Sequence, residues 1–195
     1  MNNNELFSLA KKSRVQLLEL AFKSDGPSHL GGGLSMVEIF TVLYGNILNY
    51  DIKNPEWEKR DRFILSKGHG VLPFFIALHN AGFISQEVLY TYKKNESDLI
   101  SHPVMNLELG MESSNGSLGH GLSMAVGISL ALKKRNNFLT FTSNRITRPL
   151  TMNTSIIIAD DHPLMLRGIN DFLESKGFNI LGSAQDGQAA YNLIV

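Results

Sequence analysis

Three histidines offer this chain its most usable chemistry. His29, His69 and His102 each stand in a loop beside serine, glycine or proline: Ser28-His29-Leu30-Gly31, Lys67-Gly68-His69-Gly70 and Ser101-His102-Pro103. Imidazole donates, accepts or transfers protons near neutral pH, so such loops could together build a proton-handling pocket. A loop histidine is equally at home on a surface or as a hydrogen-bond partner, and that plainer reading stays open. Zinc is the poorer alternative, because the histidines lack the short paired spacing of ligand sets. The absence of cysteine excludes a disulfide framework, a thiolate metal site and a cysteine nucleophile. A fourth loop, Gly116-Ser117-Leu118-Gly119-His120-Gly121, feeds a small-residue apolar helix that runs to Arg135. Its glycines let a ligand approach the backbone closely. The Rossmann and Walker spacings are both absent, so phosphate binding does not follow from glycine alone.

One acidic pair adds a separate possibility. Asp160-Asp161 closes the β-branched run Ser155-Ile156-Ile157-Ile158-Ala159. Adjacent carboxylates at the C-terminal edge of a parallel sheet suit magnesium. Asp161 or His162 could instead cap the helix that Pro163 opens.

The elements that must position these groups can be read from period and punctuation. Leu6, Leu9, Ala10, Leu17, Leu18 and Ala21 recur at helical spacing from about Glu5 to Lys23, ahead of the breaker Ser24-Asp25-Gly26-Pro27. After the glycine loop at His29, Ser35 with Glu38 reads as a capping box, Leu34 as a staple onto Ile39, and the helix extends towards Tyr50. Residues 51–62 read as a solvated connection and Phe63-Ile64-Leu65 as a short strand. A helix over Val71–Ala81 tolerates Pro73 in its first turn and ends at Gly82. A further short helix spans Ser85–Lys94, and the chain is irregular over Asn95–Leu109. The helix after Gly121 is apolar nearly all round, which predicts burial. Left without a covering sheet, it would expose Met124, Val126, Ile128 and Leu130. Residues 136–151 have no period and read as a seam or linker. Strand, helix, strand and helix signals then follow to Val195, the order of a parallel sheet.

Bulk properties narrow the rest. Charge balances at 18 against 18, so no global field points to nucleic acid or an acidic partner. The polar start Met1-Asn2-Asn3-Asn4 lacks the pattern of a signal peptide, and no apolar run is long enough for a membrane span. The expectation is a cytoplasmic protein.

Residues about 5–135 resemble the N-terminal segment of transketolase, especially the form divided between two chains. The matching pieces, in the family's order, are Ser28-His29-Leu30-Gly31-Gly32-Gly33-Leu34-Ser35, Asp61-Arg62-Phe63-Ile64-Leu65-Ser66-Lys67-Gly68-His69-Gly70, His102-Pro103 and Gly116-Ser117-Leu118-Gly119-His120-Gly121. The resemblance implies thiamine-diphosphate-dependent transfer of a two-carbon ketol unit between sugar phosphates, the partner being a C-terminal transketolase subunit. It puts His69 near the cofactor diphosphate and substrate, with His29 and His102 as catalytic histidines at the donor's hydroxyls. Gly116, Ser117, Leu118, Gly119 and His120 become cofactor-binding, Gly116 through its backbone and Leu118 as apolar support. It also implies magnesium, held by a Gly-Asp-Gly motif that does not follow Arg135. The chain alone is therefore expected to be inactive.

Met152–Val195 resembles instead the start of a response-regulator receiver domain, on Ile156-Ile157-Ile158-Ala159-Asp160-Asp161-His162-Pro163-Leu164 and Gly182-Ser183-Ala184-Gln185-Asp186-Gly187. That resemblance implies an incomplete magnesium site at Asp160 and Asp161, with neither the phospho-accepting aspartate nor a DNA-binding domain. The expected whole is α/β: a helix-rich, incomplete thiamine-diphosphate-binding fold over 1–135, a seam over 136–151, and a βαβα fragment of a flavodoxin-like receiver over 152–195. A fusion of two truncated beginnings accounts for that order. A signalling fragment, or a chain with no function of its own, are the alternatives to the enzyme reading.

Overall fold

The computed structural model describes residues 1–134, 155–159, 163–175, 179–185 and 189. Helix α1, Asn3–Lys23, starts on a capping box. The Asn2 side chain accepts from the Glu5 amide at 3.0 Å, and the Glu5 carboxylate accepts from the Asn2 amide at 2.8 Å. Its inner face buries Leu6, Ala10, Leu17 and Leu20. The helix stops at Ser24, where the sequence places its breaker.

The glycine run after His29 is not an open loop. It folds as a one-turn helix, α2, Leu30–Leu34, close enough to its neighbours that a Cβ on Gly33 would lie 3.3 Å from Pro73 and 3.4 Å from Leu17. This shifts the next start. Helix α3 is Val37–Val42 with Met36 at its N-cap, so Ser35 makes no capping box. The Ser35 hydroxyl donates back to the Gly32 carbonyl instead, and Glu38 pairs with Arg14 of α1. One π-type turn, Leu43–Ile47, carries α3 onward.

Helix α4, Val71–Ala81, is the pillar of the molecule. Leu72, Phe74, Phe75, Ile76 and Leu78 are all at most 2 % exposed. Pro73 sits in the first turn, where no intrahelical donor is lost. Gly82 ends the helix at φ 96°, a left-handed position that favours glycine. Phe40, Tyr44, Phe63 and Phe74 pack ring to ring, with centroids 5.2–6.1 Å apart. Phe63, Ile64 and Leu65 are buried as expected but form no named strand. Helix α5 is shorter than its sequence pattern, Gln86–Leu89, capped by Ser85.

Helix α6, His120–Lys134, is less buried than its apolar sequence predicts. Leu130 is 51 % exposed, and Met124, Val126 and Ile128 are only partly covered. A second, small core contains Leu166, Ile169 and Leu173 of helix α7, Pro163–Ser175. Leu122 and Val126 of α6 and Ile180 pack against it. Strands β1, Ser155–Ala159, and β2, Asn179–Ala184, pair in parallel, as the strand-helix-strand order requires. The register shifts between Ile156 and Ile157, pairing Ile156 with Ile180 and Ile157 with Gly182. Of the helix expected after Asp186-Gly187 only Ala189 is described, and it is helical. Among the described residues no helix is long and apolar enough to cross a membrane.

Candidate functional site

Three loops bring the histidines together. His29 occupies the N-cap position of α2 without using its side chain to cap it. His69 lies in the 3-10 turn Gly68–Gly70, closed by the Gly70 amide on the Lys67 carbonyl at 2.8 Å. His102 precedes the buried Pro103, whose carbonyl accepts from the Asn115 amide at 3.1 Å. Ring centroids stand 4.4 Å apart for His29–His69, 5.4 Å for His69–His102 and 6.3 Å for His29–His102. One nitrogen of each lies within 4.8 Å of the others. The structure brings the three histidines together. Their 40- and 33-residue separations gave no local sign of it.

Gly68 is the close approach that permits the meeting. A Cβ there would stand 2.8 Å from the His102 ring and 3.0 Å from the Asn115 carbonyl oxygen. Any side chain there would push the His69 turn away from His102 and Asn115.

The fourth loop is tied to the same wall. Asn115 is 3 % exposed, and its side-chain amide donates to the Leu65 carbonyl at 2.6 Å. The Gly119 amide donates to the Ser66 carbonyl at 3.2 Å. At Gly121 a Cβ would meet the Ser66 Cα at 2.7 Å, so only glycine lets α6 start this close. Beyond these anchors the loop faces outward. Gly116, Ser117 and His120 are exposed, Leu118 is 66 % exposed, and a Cβ on Gly116 would meet nothing within 4 Å.

Burial, then the charges of His69 and His29, hold the His102 imidazole below its usual 6.5. A neutral imidazole keeps a lone pair able to accept a proton.

One supporting group escaped the sequence reading, which took residues 51–62 for a solvated connection. Arg60 is 5 % exposed and grips Glu112 with two bonds, Nε–Oε1 at 2.7 Å and Nη2–Oε2 at 3.0 Å. Arg62 adds a third at 3.0 Å. Burial pushes the Glu112 carboxyl up, against the downward pull of Arg60. The pairing fixes the segment that leads into the Ser66–Gly70 turn against the start of the Asn115–Gly119 loop. Two arginines just ahead of a strand-like run, with one glutamate fifty residues on, were the only trace in the sequence.

Asp160 and Asp161, the magnesium candidates, lie outside the described residues.

A family model described as the transketolase thiamine diphosphate-binding domain matches residues 9–172. The chain belongs to that family. The match passes α6 and reaches through β1 into α7, across the stretch read as a seam. An apulose-4-phosphate transketolase subunit from Actinobacillus succinogenes is 41 % identical over 134 residues, 69 % of this chain and 49 % of that protein. A 6-deoxy-6-sulfo-D-fructose transketolase subunit, SqwG, from a Clostridium species is 41 % identical over 108 residues, 55 % of this chain and 39 % of that protein. The chain thus spans at most about half the length of these relatives. Leishmania mexicana transketolase shares the fold, with a TM-score of 0.67 at 19 % identity over 93 % of this chain and 36 % of that one.

The residues present fit a thiamine-diphosphate-type group. Such a molecule needs backbone it can reach, an apolar support for its rings and donors for its diphosphate. The open backbone at Gly116, the outward Leu118 and the nearby imidazoles supply these kinds of contact.

Proposed function

We propose that this transketolase-family chain carries one wall of a thiamine diphosphate site used to transfer a two-carbon ketol unit between sugar phosphates. The single observation behind this reading is the convergence of His29, His69 and His102, with Gly68 close against both His102 and Asn115, the residue that precedes the open loop. His69 contacts the diphosphate and the substrate. His29 and His102 bind the donor's hydroxyls and move protons at their ring nitrogens, and neutral His102 is suited to accept one. Gly116 offers its backbone to the cofactor, Leu118 supports it, and Ser117, Gly119 and His120 complete the loop. The bound cofactor supplies the electron sink for carbon–carbon cleavage.

The names of the two bacterial relatives, each a transketolase subunit, support phosphorylated or sulfonated sugars as substrates and a second chain as partner. Ketol transfer needs that partner, and this cytoplasmic chain alone is inactive. Magnesium would belong to the same proposal, although residues 112–134 contain no carboxylate beyond Glu112, which its arginines occupy.

Isothermal titration of the chain with thiamine diphosphate and magnesium tests the reading. Saturable binding, weakened at least about 10-fold by His69→Ala, is expected, as for loss of a direct charge-assisted contact. A folded chain that gives no heat overturns the cofactor assignment.

The parallel β1–α7–β2 unit favours a second reading for residues 152–195, the start of a receiver domain, in which Asp160 and Asp161 would be the magnesium ligands. The family match running to residue 172 weighs for a continuous transketolase chain instead. Magnesium titration followed by amide NMR at Ala159 and Ala184 separates them. Shifts saturating at both positions support the receiver, and their absence removes it.

A further inference from the structure

The geometry points to a transition-metal site: we propose that His29, His69 and His102 chelate one borderline divalent ion, zinc above all, when no cofactor fills the pocket. The donor set consists of imidazoles alone, each offering one nitrogen within 4.8 Å of the other two. Zinc–imidazole bonds run about 2.0–2.1 Å, so tetrahedral ligands stand about 3.4 Å apart. The observed spread lies little more than an ångström outside that figure, and rotation of side chains can close it.

The loops divide the work of closing. His69 is held by its 3-10 turn and by the tight packing of Gly68, and His102 by Pro103 and Asn115. His29 is exposed at the head of the short helix α2 and makes no cap bond, so its ring is the one able to swing inward. The contacts among the three rings are edge-on or tilted, and they cost little to rearrange.

Chemistry selects the ion. Magnesium and calcium require oxygen ligands, and among the described residues no carboxylate belongs to this cluster. Neutral imidazole suits zinc, copper and nickel. Three protein ligands with the fourth position left to water form an open site rather than a closed structural one. Spacing in the chain argued against zinc because it tested only local pairs, whereas here the fold assembles ligands from three separate loops. One consequence rests on the cofactor reading given above: an ion here takes the lone pairs needed for proton transfer, so zinc silences the site.

Cobalt titration of the tag-free, chelator-stripped chain tests this without any activity. Visible absorption of the intensity typical of a four-coordinate cobalt ion should grow to one equivalent, disappear on addition of zinc and survive excess magnesium. His69→Ala and His102→Ala should each weaken binding by at least about 10-fold, since even second-shell losses cost that much. His69→Gln and His102→Gln, with circular dichroism alongside, separate loss of a ligand from loss of fold. Absence of saturable cobalt binding to the folded chain overturns the proposal, as does binding that persists in the folded His69 and His102 variants. Thiamine diphosphate titrations run on the metal-free chain fail or succeed independently, so either reading can fall alone. Zinc that binds yet leaves thiamine diphosphate affinity unchanged removes only the silencing.

Discussion

Among the described residues, the region up to Gly121 buries far more apolar side chains than the region after it. The first wraps α1, α3 and the histidine loops around α4, and many of its aromatic and aliphatic side chains are almost fully inaccessible. The second gathers Leu166, Ile169 and Leu173 as its buried hydrophobic cluster and leaves Leu130, Leu164 and Phe172 at 51, 74 and 49 % exposure. Each fully buried large side chain stabilises by about 1.5–3 kcal/mol, so the first region can hold three loops in register. The second carries apolar surface of the kind that usually waits for a neighbour. The candidate site therefore depends on the well-packed region, and α6 is the hinge of the comparison: its first turn belongs to the site, and its middle belongs to the thin core.

The sharpest way to break that contrast is Phe75→Ala, at the centre of α4. It should cost about 3–5 kcal/mol, read in urea unfolding by the fluorescence of Trp57, the single tryptophan of the chain. Glu112→Gln comes next. It leaves Arg60 and Arg62 without their carboxylate in a largely buried setting, and a loss of about 3 kcal/mol is expected in the same assay. A change below about 1 kcal/mol would mean that water replaces the pair and that it does not brace the loops.

The pH dependence is a smaller effect with a definite sign. The His102 imidazole sits lower in the folded chain than its usual 6.5. The folded state therefore resists protonation more than the unfolded one. The associated stability is fully present above 6.5 and is lost as pH falls below it towards the depressed folded value. NMR titration should put the His102 midpoint below 6.5, and His69→Ala should raise it by removing a neighbouring charge. A midpoint at or above 6.5 contradicts the geometry of the cluster. The smallest effect is expected from Leu173→Ala, which should shift the Trp57 transition by less than about 0.5 kcal/mol if the two cores are independent. A larger shift would join them into one cooperative unit and erase the comparison.

What the sequence determined was everything governed by neighbours in the chain. The ends of α1 at Ser24 and of α4 at Gly82, and the parallel pairing of β1 with β2, follow from breakers, caps and crossover handedness, which act over a few residues or one supersecondary unit. The loop motifs also carried the family, because chemical groups rather than packing define them. Tertiary structure decided the rest. Ser35 and Glu38 carry the letters of a capping box, yet Arg14 on another helix takes the glutamate and α2 takes the serine. Arg60 looked solvated until Glu112 closed on it from fifty-two residues away. The three imidazoles are far apart in the chain, and the packing of α2 and the Gly68–Gly70 turn on α4, with the bare face of Gly68 against His102, brings them within reach of one another. Contacts of that range reflect which surfaces the whole core leaves adjacent, and no local pattern encodes that.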